Sequence, residues 1–240
     1  MKEKLYTIPV NDAFDKDYEC PICAMYEELE KRYVEYAMGP SYMEDDIRDE
    51  TDRLGFCEKH MKAVFEQKNA LGLALVLQTH LRRTRKEIEK LSGDLGKPAA
   101  LMKKAVPPSA AAYVNKLHDT CFVCKRIAEM FDRYLETVFY LYKKDPAFKQ
   151  KFAGSKGFCT DHYGVLIEKA GEHLKGAEYE AFIKETTALY LKNLERVEED
   201  LAWFVNKFDY RYANEPWKNA KDAVPRAMLK ANGIPYEPLS

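Results

Sequence analysis

The chain carries one cysteine–histidine pattern twice. Cys20-Pro21-Ile22-Cys23 is followed by Gly55-Phe56-Cys57-Glu58-Lys59-His60, and Cys121-Phe122-Val123-Cys124 by Gly157-Phe158-Cys159-Thr160-Asp161-His162. All six cysteines of the chain belong to it, three in each copy. Three thiolates and one imidazole form a complete tetrahedral donor set for zinc. Any fold open to this sequence must therefore bring segments some 35 residues apart, or farther, together around two small donor clusters.

The pattern sits in a longer internal match. A shift of 101 positions aligns Cys20 with Cys121, Arg32-Tyr33 with Arg133-Tyr134 and Glu35 with Glu136. A shift of 102 pairs Gly55-Phe56-Cys57 with Gly157-Phe158-Cys159, and His60 with His162. Farther on, a shift of 113 sets Leu77, Leu81, Thr84, Ile88 and Leu91 against Tyr190, Leu194, Val197, Leu201 and Phe204. Both rows alternate spacings of four and three, the apolar stripe of a long amphipathic helix. The expected organisation is a single pseudo-twofold domain over 1–240. Repeat one covers about 18–92, a linker about 93–108, repeat two about 109–208, and a C-terminal extension 209–240. The residues added in the second copy are expected in a longer turn near Gly171 to Gly176.

Local signals are helical throughout. Tyr18 to Met38 and Thr120 to Lys144 read as helices that begin near their CxxC pairs, the first ended by Gly39-Pro40. Phe56 to about Leu91 reads as one helix or two, with a break at Gly72. Phe158 to Leu174 and Glu178 to Phe208 are the counterparts. Asn214 to Ala231 holds a short helix with Pro216 in its first turn and Trp217 as an anchor. No segment sustains period-two alternation. The fold class is all-α, an internally duplicated helical bundle with long amphipathic helices and two Cys3His metal sites.

Residues three apart share a helix face, so Cys20 and Cys23 can meet one ion from a first helical turn, as can Cys57 and His60. The exposed N–H groups and positive dipole end of two helix N-termini favour the net negative charge of a three-thiolate zinc site. The simple repeat model assigns Cys20, Cys23, Cys57 and His60 to one ion and Cys121, Cys124, Cys159 and His162 to the other, giving two zinc ions per chain. An iron–sulfur cluster is the alternative, although such clusters generally use four cysteines. Haem attachment is excluded, because Ala24 and Lys125 stand where histidine would have to follow CxxC.

Composition narrows the function classes. A formal net charge of −1 over 240 residues gives no general attraction to nucleic acid. The longest aliphatic stretch, Ala70 to Leu77, is far below the roughly 20 residues that span a bilayer. Met1 to Val10 lacks the apolar core of a secretory signal. These features point to the cytoplasm, where clustered cysteines bind metal more often than they form disulfides. His80, His118 and His173 stand alone, with no glutamate three residues before them, so the di-iron bundle pattern is missing. Neither HExxH, GxSxG nor a phosphate-binding glycine loop occurs. No catalytic residues are assigned. The favoured expectation is a non-enzymatic binding or adaptor module for a protein or small-molecule partner, with structural zinc. The alternative is a thiol-based redox or metal sensor, and a weaker one is an enzyme with a pocket in the bundle. Composition leaves the oligomeric state open.

The doubled CxxC…GFCxxH signature, together with Glu215-Pro216-Trp217 and Lys221-Asp222-Ala223-Val224-Pro225-Arg226-Ala227, resembles a bacterial family catalogued as a domain of unknown function. The second copy has Phe122 where the first has Pro21, a departure that touches no ligand. The resemblance implies bacterial origin and metal ligation, and it brings no activity with it.

Overall fold

The computed structural model describes residues 6–92 and 109–233, and among these it contains eleven α-helices and no strand. The protein is all-α. The expected linker at 93–108 lies outside the described residues.

In chain order the helices are α1 (Thr7–Asp15), α2 (Pro21–Met38), α3 (Asp45–Leu54), α4 (Glu58–Glu66), α5 (Ala70–Leu91), α6 (Ser109–His118), α7 (Phe122–Lys144), α8 (Pro146–Gly154), α9 (Thr160–His173), α10 (Gly176–Asn206) and α11 (Ala223–Asn232). Their ends follow local chemistry. The Asp145 carboxylate accepts from the N–H groups of Ala147 and Phe148 and caps α8, with Pro146 in the first turn, where a missing N–H costs nothing. The break between α4 and α5 falls at Lys68-Asn69 rather than at Gly72. Lys68 adopts a positive φ of 58°, and the Asn69 side chain accepts from the Gly72 N–H, so Gly72 sits inside the first turn of α5. The C-terminal helix starts at Ala223, well after Pro216. Pro216 instead accepts a hydrogen bond from the Trp203 indole on its carbonyl, and Trp217 packs its ring 5.8 Å from Phe204. The long turn expected near Gly171 to Gly176 is short, because α9 runs through Gly171 to His173 and α10 begins at Gly176. The added residues lengthen the helices: α9 has 14 residues against 9 in α4, and α10 has 31 against 22 in α5.

The chain divides into two compact units, and the boundaries fall inside α2 and α7 rather than between the two copies of the motif. The central unit is the continuous stretch Glu28–Met130. In it α3 packs on α5, and α5 packs on α4 and α6. Its core holds Leu29, Val34, Ile47, Leu54, Val64, Val76, Phe122 and Ile127. The terminal unit joins the residues up to Glu27 to those from Phe131 onward. There α10 packs on α8, α9 and α11, and α1 on α8. Its core is aromatic. Phe152 is fully buried and lies 5.2–5.8 Å, ring to ring, from Phe14, Tyr142, Phe158 and Phe182. Such tilted and edge-on pairs add to the burial of the rings themselves.

Candidate metal centres

Each unit holds one cluster of three cysteines and a histidine. The terminal cluster is Cys20, Cys23, Cys159 and His162; the central one is Cys57, His60, Cys121 and Cys124. All eight residues singled out by the sequence pattern are therefore drawn into clusters, but the grouping differs from the expected one. The CxxC of each copy meets the CxxH of the other, which overturns the assignment of each site to a single copy.

The local reason for the exchange is visible in the central unit. The Phe122 N–H donates to the Gly55 carbonyl at 2.9 Å, and the Thr120 hydroxyl donates to the Leu54 carbonyl at 2.9 Å. The segment entering α7 is thus stitched to the segment entering α4. Gly55 permits this with a φ of 60° and a ψ of −156°, a backbone region essentially restricted to glycine. A Cβ at this position would lie 2.8 Å from the His80 ring.

Every ligand lies at a helix start. Cys57 and Cys159 are the N-cap residues of α4 and α9, and Cys20 and Cys121 directly precede α2 and α7. Three of these sulfurs accept a backbone N–H three residues on: Cys20 from Cys23 at 3.4 Å, Cys121 from Cys124 at 3.5 Å and Cys159 from His162 at 3.4 Å. The thiolates serve as helix caps, and two positive helix ends converge on each cluster.

The donor geometry fits a small tetrahedral ion. In each cluster the four ligand atoms all lie within 4.8 Å of one another. Nδ1 of His162 is 3.6, 3.2 and 3.2 Å from the sulfurs of Cys20, Cys23 and Cys159. Nδ1 of His60 is 3.2, 3.3 and 3.2 Å from those of Cys57, Cys121 and Cys124. Sulfur–sulfur separations are 3.6 Å for Cys23–Cys159 and 3.9 Å for Cys57–Cys124. Bonds of about 2.3 Å to sulfur and about 2.0 Å to nitrogen imply tetrahedral edges of about 3.5–3.8 Å. The cysteines are free thiols, and none is paired in a disulfide.

Electrostatics points the same way. Burial disfavours charge on His162, but the Cys159 and Cys20 thiols outweigh it and raise the imidazole to about 10. His60 is likewise raised to about 10, against its burial, by Cys121 and Glu30. Hydrogen bonds from Cys20 and Cys23 hold the Cys159 thiol well below the usual range. In each cluster one lowered thiol, Cys159 or Cys121, faces a raised imidazole, while neighbouring sulfurs and burial push Cys23 and Cys124 up, so the donors are packed closely enough to couple.

The surroundings of the two clusters differ. Nε2 of His60 lies 2.9 Å from the Glu30 carboxylate, which also takes Lys59 at 2.6 Å. That contact lowers the Glu30 pKa and fixes the ring with Nδ1 towards the sulfurs. His162 instead packs its ring 5.6 Å from Phe131, which meets Tyr26 edge-on. The terminal cluster is also covered by α11. Gly233, the left-handed C-cap of that helix, comes so close that a Cβ there would touch the sulfurs of Cys159 and Cys23 at 3.5 and 3.6 Å. One turn earlier, the buried Lys230 ammonium donates to the Glu19 carbonyl at 2.5 Å and to the Lys156 carbonyl, and pairs with the Glu19 carboxylate at 3.3 Å. Burial pushes this lysine's pKa down, with Glu19 and Cys20 opposing.

Lys230 supplies what Pro21 lacks. Phe122 gives its N–H to the stitch in the central unit, whereas Pro21, at the matching place, has no N–H to give. In the terminal unit the lysine ties the segment before α2 to the segment before α9. Sequence reasoning missed Lys230, Glu19 and Glu30. The Pro21/Phe122 departure was the available signal for the first two; nothing in the motif spacing marks Glu30.

Fold and sites together define an all-α protein with two Cys3His clusters that could each hold a metal ion. The chain belongs to the family of unknown function DUF6062, whose model matches residues 1–237. No curated protein and no solved structure matches it.

Proposed function

We propose that the chain is a zinc protein of the binding or adaptor kind, in which two structural ions, one per unit, clamp paired helix N-termini. The eight ligands are Cys20, Cys23, Cys159 and His162 for one ion, and Cys57, His60, Cys121 and Cys124 for the other. The observation that carries this reading is the donor geometry: two four-donor sets with tetrahedral edge lengths, each seated on two helix starts. Four protein donors leave no open coordination position for substrate, the mark of a structural rather than a catalytic zinc. Every cysteine is engaged, so no separate thiol remains to act as a nucleophile. A mixed sulfur–imidazole set suits zinc better than an iron–sulfur cluster. The reading also supposes a reducing, cytoplasmic setting that keeps the thiols free, and descent of the two motif copies from one duplicated helical segment.

The decisive experiment is element-resolved metal analysis of protein purified without added metal. Two zinc ions per chain are expected. Iron with sulfide, or no metal at all in protein kept reduced, would overturn the assignment.

A further inference from the structure

The two clusters present their sulfurs to solvent very differently. In the terminal cluster Cys20, Cys23 and Cys159 are all buried. In the central cluster Cys124 is exposed and Cys57 is half-exposed, with their sulfurs 3.9 Å apart. An open groove of about 1140 Å³ runs beside them, with Phe56, Cys57, Lys59, His80 and His118 along it. It gives a small solute a path to the Cys57 side of the cluster.

We propose that the central cluster is a site of oxidative thiol modification, in which hydrogen peroxide joins Cys124 to Cys57 and releases the ion, while the terminal cluster stays loaded. This rests on the zinc reading above. The Cys124 thiolate attacks one peroxide oxygen; an S–O bond forms, the O–O bond breaks, and the leaving hydroxide takes a proton to become water. The Cys57 thiolate then attacks the sulfenic sulfur; the S–S bond forms, the S–O bond breaks, and a second hydroxide leaves as water. Two thiolates lose two electrons, one peroxide gains them, and two protons are consumed. The ion keeps only Cys121 and His60 and dissociates.

Cys57 is the resolving partner for structural reasons. It is an N-cap at the end of a loop, and unlike the sulfurs of Cys20, Cys121 and Cys159 its sulfur accepts no cap bond from an N–H of its own helix. Cys121 is buried and its sulfur is held by the Cys124 N–H. Exposure selects Cys124 as the cysteine that an oxidant reaches first.

The test uses the full chain. Zinc is first counted; two per chain upholds the parent reading, and a metal-free reduced chain overturns that reading and this one with it. Hydrogen peroxide is then added while released zinc is followed with a chromogenic chelator, and the disulfides are mapped by mass spectrometry of peptides digested without reductant. The expected result is loss of one of the two zinc equivalents, a Cys57–Cys124 bond, and recovery of the ion after a phosphine reductant and zinc are added. A chain that holds two zinc ions but loses both together, loses neither, or forms Cys121–Cys124 or a bond within Cys20, Cys23 and Cys159 overturns the redox assignment and leaves the zinc reading standing.

Discussion

The terminal and central sites are each built from one CxxC and one CxxH pair seated on two helix starts, in opposite chain order, yet they are finished differently. The terminal site is closed from above by α11, stitched by the buried Lys230 ammonium and walled by Phe131. The central site is stitched by backbone N–H and hydroxyl donors, keeps one exposed cysteine, and orients its histidine with a carboxylate. A ligand set therefore specifies what is bound. The neighbouring residues decide how firmly it is held and what can reach it.

The strongest way to break this comparison is to remove one ligand at a time. Cys159→Ser and Cys57→Ser should each lower zinc content from two to one per chain. A structural zinc site carries coupled free energy on the order of 10 kcal/mol, so each loss should dominate any other change considered. Thermal melts should show the larger fall for Cys159→Ser, because its cluster ties together α2, α9 and α11. The other unit should retain a cooperative transition. Equal shifts for the two variants would erase the distinction. Acid probes the same difference without mutation. Protons compete with the ion for thiolate and imidazole, so occupancy is full near neutral pH and is lost as pH falls. A pH titration of bound zinc should show the central ion leaving at the higher pH.

Lys230→Met isolates the lysine stitch. The Glu19 and Lys156 carbonyls lose their donor while the Glu19 carboxylate keeps Arg196, so the expected cost is about 1–3 kcal/mol, measured as a fall in unfolding free energy in urea. Chelator removal of the terminal ion should speed up while that of the central ion does not change. Unchanged stability would mean that the three oxygen contacts of Lys230 contribute little.

Much of this was legible in the sequence and some was not. The eight ligand candidates, the helical class and the helix starts near the two CxxC pairs follow from residue spacing alone, because three-residue spacing and helix-end electrostatics act locally. The exchange of CxxC partners was not legible. It depends on which carbonyl meets the Phe122 N–H, and Gly55 lies 67 residues away from it. The start of the last helix was misplaced for a related reason. Pro216 and Trp217 carry strong local signals for a helix start, but their groups are engaged by Trp203 and Phe204 of α10.

Two smaller changes sharpen the comparison. Glu30→Gln weakens the acceptor on Nε2 of His60, and loss of such a partner lowers metal affinity about 10–100-fold. Competition with a chelator of known affinity should register that drop at the central site alone. Gly233→Ala is the mildest. Its Cβ would make only ordinary contact with two sulfurs, so the cost is that of a left-handed residue, about 1 kcal/mol. Calorimetry should detect it in the terminal unit; a cost several times larger would show that the sulfurs cannot accommodate a methyl group.

The partner exchange also sets an order in time. Synthesis runs from the N-terminus, so Cys20, Cys23, Cys57 and His60 leave the ribosome together before Cys121 exists. For the next 61 residues the nascent chain offers a chemically complete Cys3His set drawn from the wrong partners. An ion captured there must exchange one of its two ligand pairs before a native site can form. The central unit, continuous in sequence, is the first that can be completed, whereas Cys20 and Cys23 wait for Cys159 and His162. On the zinc reading proposed above, the supply of the ion during translation, and not only afterwards, bears on how cleanly the chain reaches its fold.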